Sequence, residues 1–182
     1  MKRLLAWLTL ALLLTGMALA DEAMIKLRAG YFHPRDKDFR DIYGGGMTFG
    51  LEVSAEAAKN VELWVEAGYF SKKGELSYTR ETARLRIVPA GGGVRYVWTA
   101  GRLNYYCGLG LNYYSYREAS PLGTVHWGRP GLAAGIGGRL RAAENASIDL
   151  SVGYSHCRMK PADFAFNVGG WELVIGLAYR LR

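Results

Sequence analysis

Along most of this chain every second residue is apolar. In "IKLRAGY" the apolar positions are Ile25, Leu27, Ala29 and Tyr31, separated by Lys26, Arg28 and Gly30. A repeat of two is that of a β-strand, whose successive side chains point to opposite faces. "YGGGMTFGLEV" sets Tyr43, Met47, Phe49, Leu51 and Val53 against glycines, Thr48 and Glu52, and "VELWVEAGY" sets Val61, Leu63, Val65, Ala67 and Tyr69 against Glu62, Trp64, Glu66 and Gly68. "YYCGLGLNYY", "LAAGIGGRLR", "IDLSVGY" and "WELVIGLAYRL" follow the same rule. The fourth segment, "RLRIVPAGGGVRYVW", changes phase, with Leu85 and Ile87 apolar at one end and Val94, Tyr96 and Trp98 at the other. Pro89 and the glycines between them predict a bulge or bend in one strand, or else two short strands with a tight turn.

With these phases the apolar face carries no charge from residue 25 to residue 181. The opposite face holds Lys26, Arg28, Arg84, Arg86, Arg95, Arg139, Arg141 and Arg180 beside Glu52, Glu62, Glu66, Asp149 and Glu172. A soluble barrel turns its apolar residues inward. An Arg or Lys facing the middle of a bilayer costs roughly 2 to 4 kcal/mol, so in a membrane the charged face must be the lumen. The expectation is an all-β, eight-stranded antiparallel transmembrane β-barrel with a plugged interior, since a barrel of this size is narrow enough for side chains to fill. Acids and bases on neighbouring strands should pair there, because an isolated buried ion costs several kcal/mol.

The connections alternate between short ones ("SAEAAKN", "TAGRL", "AAENA") and longer polar stretches near residues 33–42, 70–83, 115–130 and 155–168. That is the periplasmic and extracellular asymmetry of such barrels. Tyr31, Tyr43, Tyr69, Tyr113, Tyr154 and Trp171 fall at the outer strand ends and Trp98, Tyr105 and Tyr179 at the inner ends, predicting two interfacial girdles. The long stretches carry Arg35, Lys37, Arg40, Lys72, Lys73, Arg80, Arg117, Arg129, Arg158 and Lys160 among Asp36, Asp38, Asp41, Glu75, Glu81, Glu118 and Asp163, which predicts a mixed, solvated surface.

Residues 1–20, "MKRLLAWLTLALLLTGMALA", have the basic start, short apolar core and small-residue exit of a secretory signal, with cleavage expected after Ala20 and one barrel domain over residues 21–182. Losing Lys2 and Arg3 would lower the formal net charge from +7 to +5. No basic run or basic helix suggests nucleic acid. The two cysteines, Cys107 and Cys157, lie near opposite ends of their strands and are not expected to bond, and no Cys/His spacing suggests a metal or other cofactor.

"GGGVRYVW", "YYCGLGLNYY" and "GGWELVIGLAYRL" together resemble the small eight-stranded outer-membrane β-barrel proteins of Gram-negative bacteria, the group that includes outer membrane protein X and the opacity-type adhesins. The resemblance implies insertion by the barrel assembly machinery, with Gly176, Tyr179 and Leu181 as the assembly signal, although the chain ends in Arg182 where the family generally has an aromatic residue. It implies an outer-membrane, monomeric, structural or surface-interaction protein in contact with lipid and lipopolysaccharide, with no cofactor. Alternatives are a lipid A or phospholipid modifying enzyme and a narrow channel. For the enzyme the candidate set is Ser155, His156 and Glu172, but "SHCR" departs from the His-x-Ser-Asn motif of the lipid A deacylases.

Overall fold

The computed structural model describes residues 23–75, 82–121, 123–159 and 166–181. The expected signal, Arg182 and parts of the second, third and fourth long stretches lie outside these residues. The strands are β1 (Ala23–Pro34), β2 (Gly46–Ala58), β3 (Val61–Glu75), β4 (Thr82–Ala100), β5 (Leu103–Ser120), β6 (Gly123–Arg141), β7 (Ala146–His156), β8 (Arg158–Met159), β9 (Phe166–Asn167) and β10 (Gly170–Leu181), and one helix, α1 (Lys37–Tyr43), follows β1. Eight of the strands close a barrel in the order β1-β10-β7-β6-β5-β4-β3-β2, while β8 and β9 form a small separate ladder.

Closure rests on the ends of the chain. β1 and β10 pair antiparallel from Ala23 opposite Leu181 to Pro34 opposite Gly170, leaving no open strand edge. Below the outer girdle the alternation works as expected: Leu27, Phe49, Leu109, Leu111, Leu132, Ile136, Ile175 and Leu177 are each more than half exposed on the outer wall. A belt so apolar suits acyl chains, because soluble proteins rarely expose apolar patches beyond a few hundred Å². Trp98 stacks on Tyr105 at 6.0 Å near the short turns, and Tyr154 meets Trp171 at 5.0 Å near the other end. Tyr31, Tyr69, Tyr113 and Tyr179 also stand exposed on the outer wall at the two ends of the belt.

Three expectations need correcting. β4 has no bulge: its register with β5 runs unbroken from Arg84 opposite Ala119 to Ala100 opposite Leu103. Leu85 and Ile87 therefore point inward and are buried, and Arg84 and Arg86 point outward instead of into the lumen. The backbone keeps its phase, and the surroundings change. Strands need about 9 to 11 residues to cross a bilayer, whereas β4, β5 and β6 have 19, 18 and 19. Beyond the membrane the outer wall faces water, so the barrel reverts to apolar inside and charged outside.

The same overhang replaces two expected loops. Residues 70–75 continue β3, while 115–120 form the top of β5 and 123–130 the top of β6. The third correction is Tyr43, which is no girdle residue. Asp36 caps α1 by accepting from the Phe39 backbone N–H at 3.2 Å, and Gly44 at φ 65° ends the helix. Phe39 and Tyr43, four residues apart on one helix face, are both buried, so the local period is that of a helix.

Candidate functional site

The lumen holds two layers of different character. The lower is ionic and sits within the apolar belt. Lys26 on β1 reaches Glu52 on β2 at 3.0 Å and Asp149 on β7 at 3.2 Å. Glu52 takes Arg95 on β4 at 2.7 Å, Arg95 reaches Glu62 on β3 at 2.8 Å, and Glu62 takes Arg139 on β6 at 3.1 Å. Arg139 returns to Asp149 at 3.7 Å. The six groups make a closed ring in which every charge lies between two of opposite sign.

Burial makes the alternation matter. Lys26, Glu52, Arg95, Arg139 and Asp149 are all buried, and a buried charge without a partner is far more costly than one that is paired and hydrogen-bonded. Tyr106 on β5 fills the middle of the ring. Its hydroxyl donates to Asp149, and its ring centroid lies 4.9 Å from the Arg95 guanidinium, 5.6 Å from the Lys26 ammonium and 5.8 Å from the Arg139 guanidinium. Glycines leave the space these long groups occupy. A Cβ at Gly176 would lie 2.9 Å from Cδ of Lys26, and one at Gly137 would lie 2.5 Å from the Tyr106 ring.

Above the ring Arg28 makes a branch. It pairs with Glu66 and reaches Glu172 at 3.4 Å, while Asn112 donates to Glu66 at 2.8 Å and Thr48 donates to Glu172. A cavity of about 150 Å³ lies here, with Arg28, Glu66, Asn112, Tyr114, Ser155 and Glu172 among its lining. Arg180 lines the inner mouth with Glu56, Glu62 and Arg139.

The upper layer is an apolar cap beyond the belt. Phe32, Phe70, Leu85, Ile87, Tyr114, Tyr116, Cys157, Met159 and Val168 pack with Phe39 and Tyr43 into one buried cluster. Phe32 meets Phe70 edge to face at 5.4 Å. Asp36 ties the cap together: one carboxylate oxygen caps α1 and the other accepts from the Asn167 backbone N–H at 3.0 Å. The Asn167 side-chain oxygen accepts in turn from the backbone N–H groups of Cys157 at 3.0 Å and Gly169 at 2.9 Å. Tyr116 donates to Glu118 beside Tyr43, and burial, reinforced by that carboxylate, pushes both phenols above their usual range.

The candidate catalytic set is not assembled. Ser155 faces the cavity, whereas His156, the next residue along β7, is exposed with its Nδ1 2.9 Å from the Asn167 amide nitrogen. Adjacent strand residues point to opposite faces, so this pair cannot share a proton. Among the described residues no group of three His, Cys, Asp or Glu is placed to hold a metal ion, and Cys107 and Cys157 are both free thiols.

The charges were legible in the sequence as one face of the strands, while their partners depend on strand register. Tyr106, the hub of the ring, is not distinguished by strand alternation alone. The signal was there: an aromatic residue on the lumen face, two residues before Gly108 and opposite Gly137, fills the space that glycines leave.

No family model matches the sequence, and no curated protein sequence matches it. Solved structures do. The outer membrane protein OprG from Pseudomonas aeruginosa aligns with a TM-score of 0.69 at 17% identity, over 90% of this chain and 97% of that one. Outer membrane protein W of E. coli aligns with a TM-score of 0.59 at 17% identity, over 89% and 98%. The attachment invasion locus protein Ail of Yersinia pestis, in complex with the heparin analogue sucrose octasulfate, aligns with a TM-score of 0.58 at 16% identity, over 90% and 100%. The chain thus has the fold of the small eight-stranded outer-membrane β-barrels.

Proposed function

We propose that the protein is an integral outer-membrane barrel that works as a sealed platform, with its tall extramembrane end making contacts at the cell surface. The observation that carries this reading is the double closure of the lumen, by the Lys26–Glu52–Arg95–Glu62–Arg139–Asp149 ring below and the aromatic cap above. A conducting pore needs a continuous wet path, and Tyr106 and Trp64 stand where that path would run. The overhang of β4, β5 and β6 supports the surface role, because strands that only anchor a protein have no need of it. The complex of the neighbour Ail with the heparin analogue sucrose octasulfate supports a ligand-binding role for a barrel of this fold.

Insertion would follow from export by the signal and recognition of Gly176, Tyr179 and Leu181 by the assembly machinery, giving a monomer in the outer membrane. Planar bilayer recording of the purified chain at high salt is expected to show no steady conductance, and a reproducible open level would overturn the sealed reading. An epitope between Ser120 and Gly123 should be labelled by antibody on intact cells, and one between Ala143 and Glu144 should not. The reverse pattern would place the tall end in the periplasm and remove the surface role.

A further inference from the structure

Beyond the outer girdle, one side of the barrel's outer wall carries a cluster of cations. Across β3, β4, β5 and β6, Lys73 stands opposite Arg84, Arg86 opposite Arg117, and Arg117 opposite His126. All five side chains are exposed. Like charges directly opposite each other weaken a sheet. Among the described residues Lys73, Arg84, Arg86 and Arg117 take part in no ion pair.

Two of the acids that the sequence intersperses among these bases are used elsewhere. Glu118 turns inward to Tyr116, and Asp36 is taken up by α1 and Asn167. Glu75 ends β3 opposite Thr82 in the strand register. Among the described residues the bases on this wall form a positive patch.

Its height identifies what could balance it. Arg86 pairs with Ser71, two residues past Tyr69, and Arg117 lies four residues past Tyr113. At ~3.3 Å per residue along tilted strands this is ~7–13 Å of strand, and the headgroup layer of a leaflet is ~5–7 Å deep. Long basic side chains reach back toward such a layer. The Arg86 guanidinium leans over the girdle ring of Tyr69 at 5.7 Å, and across the barrel Arg35 covers Tyr154 at 5.9 Å and donates to its hydroxyl at 2.7 Å. Arginine forks match phosphate oxygens.

We infer that Lys73, Arg84, Arg86 and Arg117 form a docking site for the phosphates of outer-leaflet lipid, with His126 at its edge. Phosphorylated headgroups at this depth would neutralise the opposed cations, and the aromatic belt below would hold the acyl chains of the same molecules. The site lies outside the lumen and does not depend on its closure; it rests on the reading that the tall end faces the cell surface.

The test uses the full chain refolded into phosphatidylcholine nanodiscs containing bis-phosphorylated lipid A, with retained lipid A counted by native mass spectrometry after gentle release. The wild-type chain should retain lipid A, and the combined variant Lys73→Gln, Arg84→Gln, Arg86→Gln and Arg117→Gln should hold it about tenfold less tightly. A second variant, Arg102→Gln with Arg141→Gln at the opposite end, should retain it as the wild type does. A heat-dependent gel shift shows that each variant is folded. Equal retention by the fourfold variant would overturn the assignment, and so would equal retention of fully dephosphorylated lipid A by the wild type.

Discussion

The Tyr106 hydroxyl donates to both carboxylate oxygens of Asp149, at 2.9 and 3.0 Å, inside a ring whose cations also crowd its aromatic face. One side chain thereby satisfies an acid through its edge and cations through its π-cloud. Asp149 is completely buried, and among the described residues its charge is supported by Tyr106, Lys26 and the more distant Arg139.

Tyr106→Phe keeps the ring and removes the donor. A hydrogen bond to a charged group contributes roughly 1.5–3 kcal/mol, and the urea midpoint of the folded band on unheated gels should fall accordingly. Tyr106→Leu, which also removes the aromatic face, should fall further. Equal midpoints for wild type and Tyr106→Phe would show that the hydroxyl contributes nothing.

Asp149→Asn leaves Lys26 with Glu52 alone and Arg139 with Glu62 alone. Breaking a buried pair from one side costs about 3–5 kcal/mol. Adding Lys26→Met should recover part of that loss, because the orphaned cation goes with it. A double-mutant cycle measures this coupling. Asp149 with Lys26, at 3.2 Å, should couple more strongly than Asp149 with Arg139, at 3.7 Å. Additive losses for the Lys26 pair would mean that the ring is not a unit.

The lumen glycines divide into two kinds. A Cβ at Gly137 would press on Tyr106 and on Cβ of Ser151, whereas one at Gly153 meets only the Ala134 carbonyl oxygen at 3.6 Å, an ordinary contact. Gly137→Ala should therefore cost about 1–3 kcal/mol through overpacking, while Gly153→Ala should change stability little. Comparing the two in urea is the check, and a larger loss at Gly153 would contradict the packing described for Tyr106.

The membrane-spanning part was open to reading because lipid outside and a narrow lumen inside impose opposite chemistries on alternate residues such as Leu27 and Arg28. Leu85 and Ile87 misled for the same reason. Their strand runs on into water, where an unchanged backbone phase requires the opposite polarity, and an assumption of constant surroundings turns that into a bulge. Tyr43 misled because a short helix hides between two strands, and its apolar spacing of four emerges only once Asp36 is seen to cap it. The identity of each ion pair was out of reach, since register brings Lys26 to Asp149 across 123 residues of chain.

The cap should respond to pH through Cys157, whose thiol is buried against the carbonyl oxygens of Arg129 and Pro130, each 3.7 Å away. Burial pushes this thiol up to about 11. In the folded chain at pH 8 it should resist iodoacetamide, and after denaturation it should react fully. An unfolded thiol ionises near its ordinary value of about 8.5, so between there and 11 the open form is the one that loses its proton. The stability that burial gives the cap is therefore complete below that window and falls as pH rises through it. The raised Tyr43 and Tyr116 phenols act in the same direction above about pH 10. The labelling rate of Cys157 should climb through this range more steeply than that of a free thiol, while the heat-dependent gel shift of the barrel persists. A labelling rate that merely tracked a free thiol from pH 7 upward would show that Cys157 is not sealed beneath the cap.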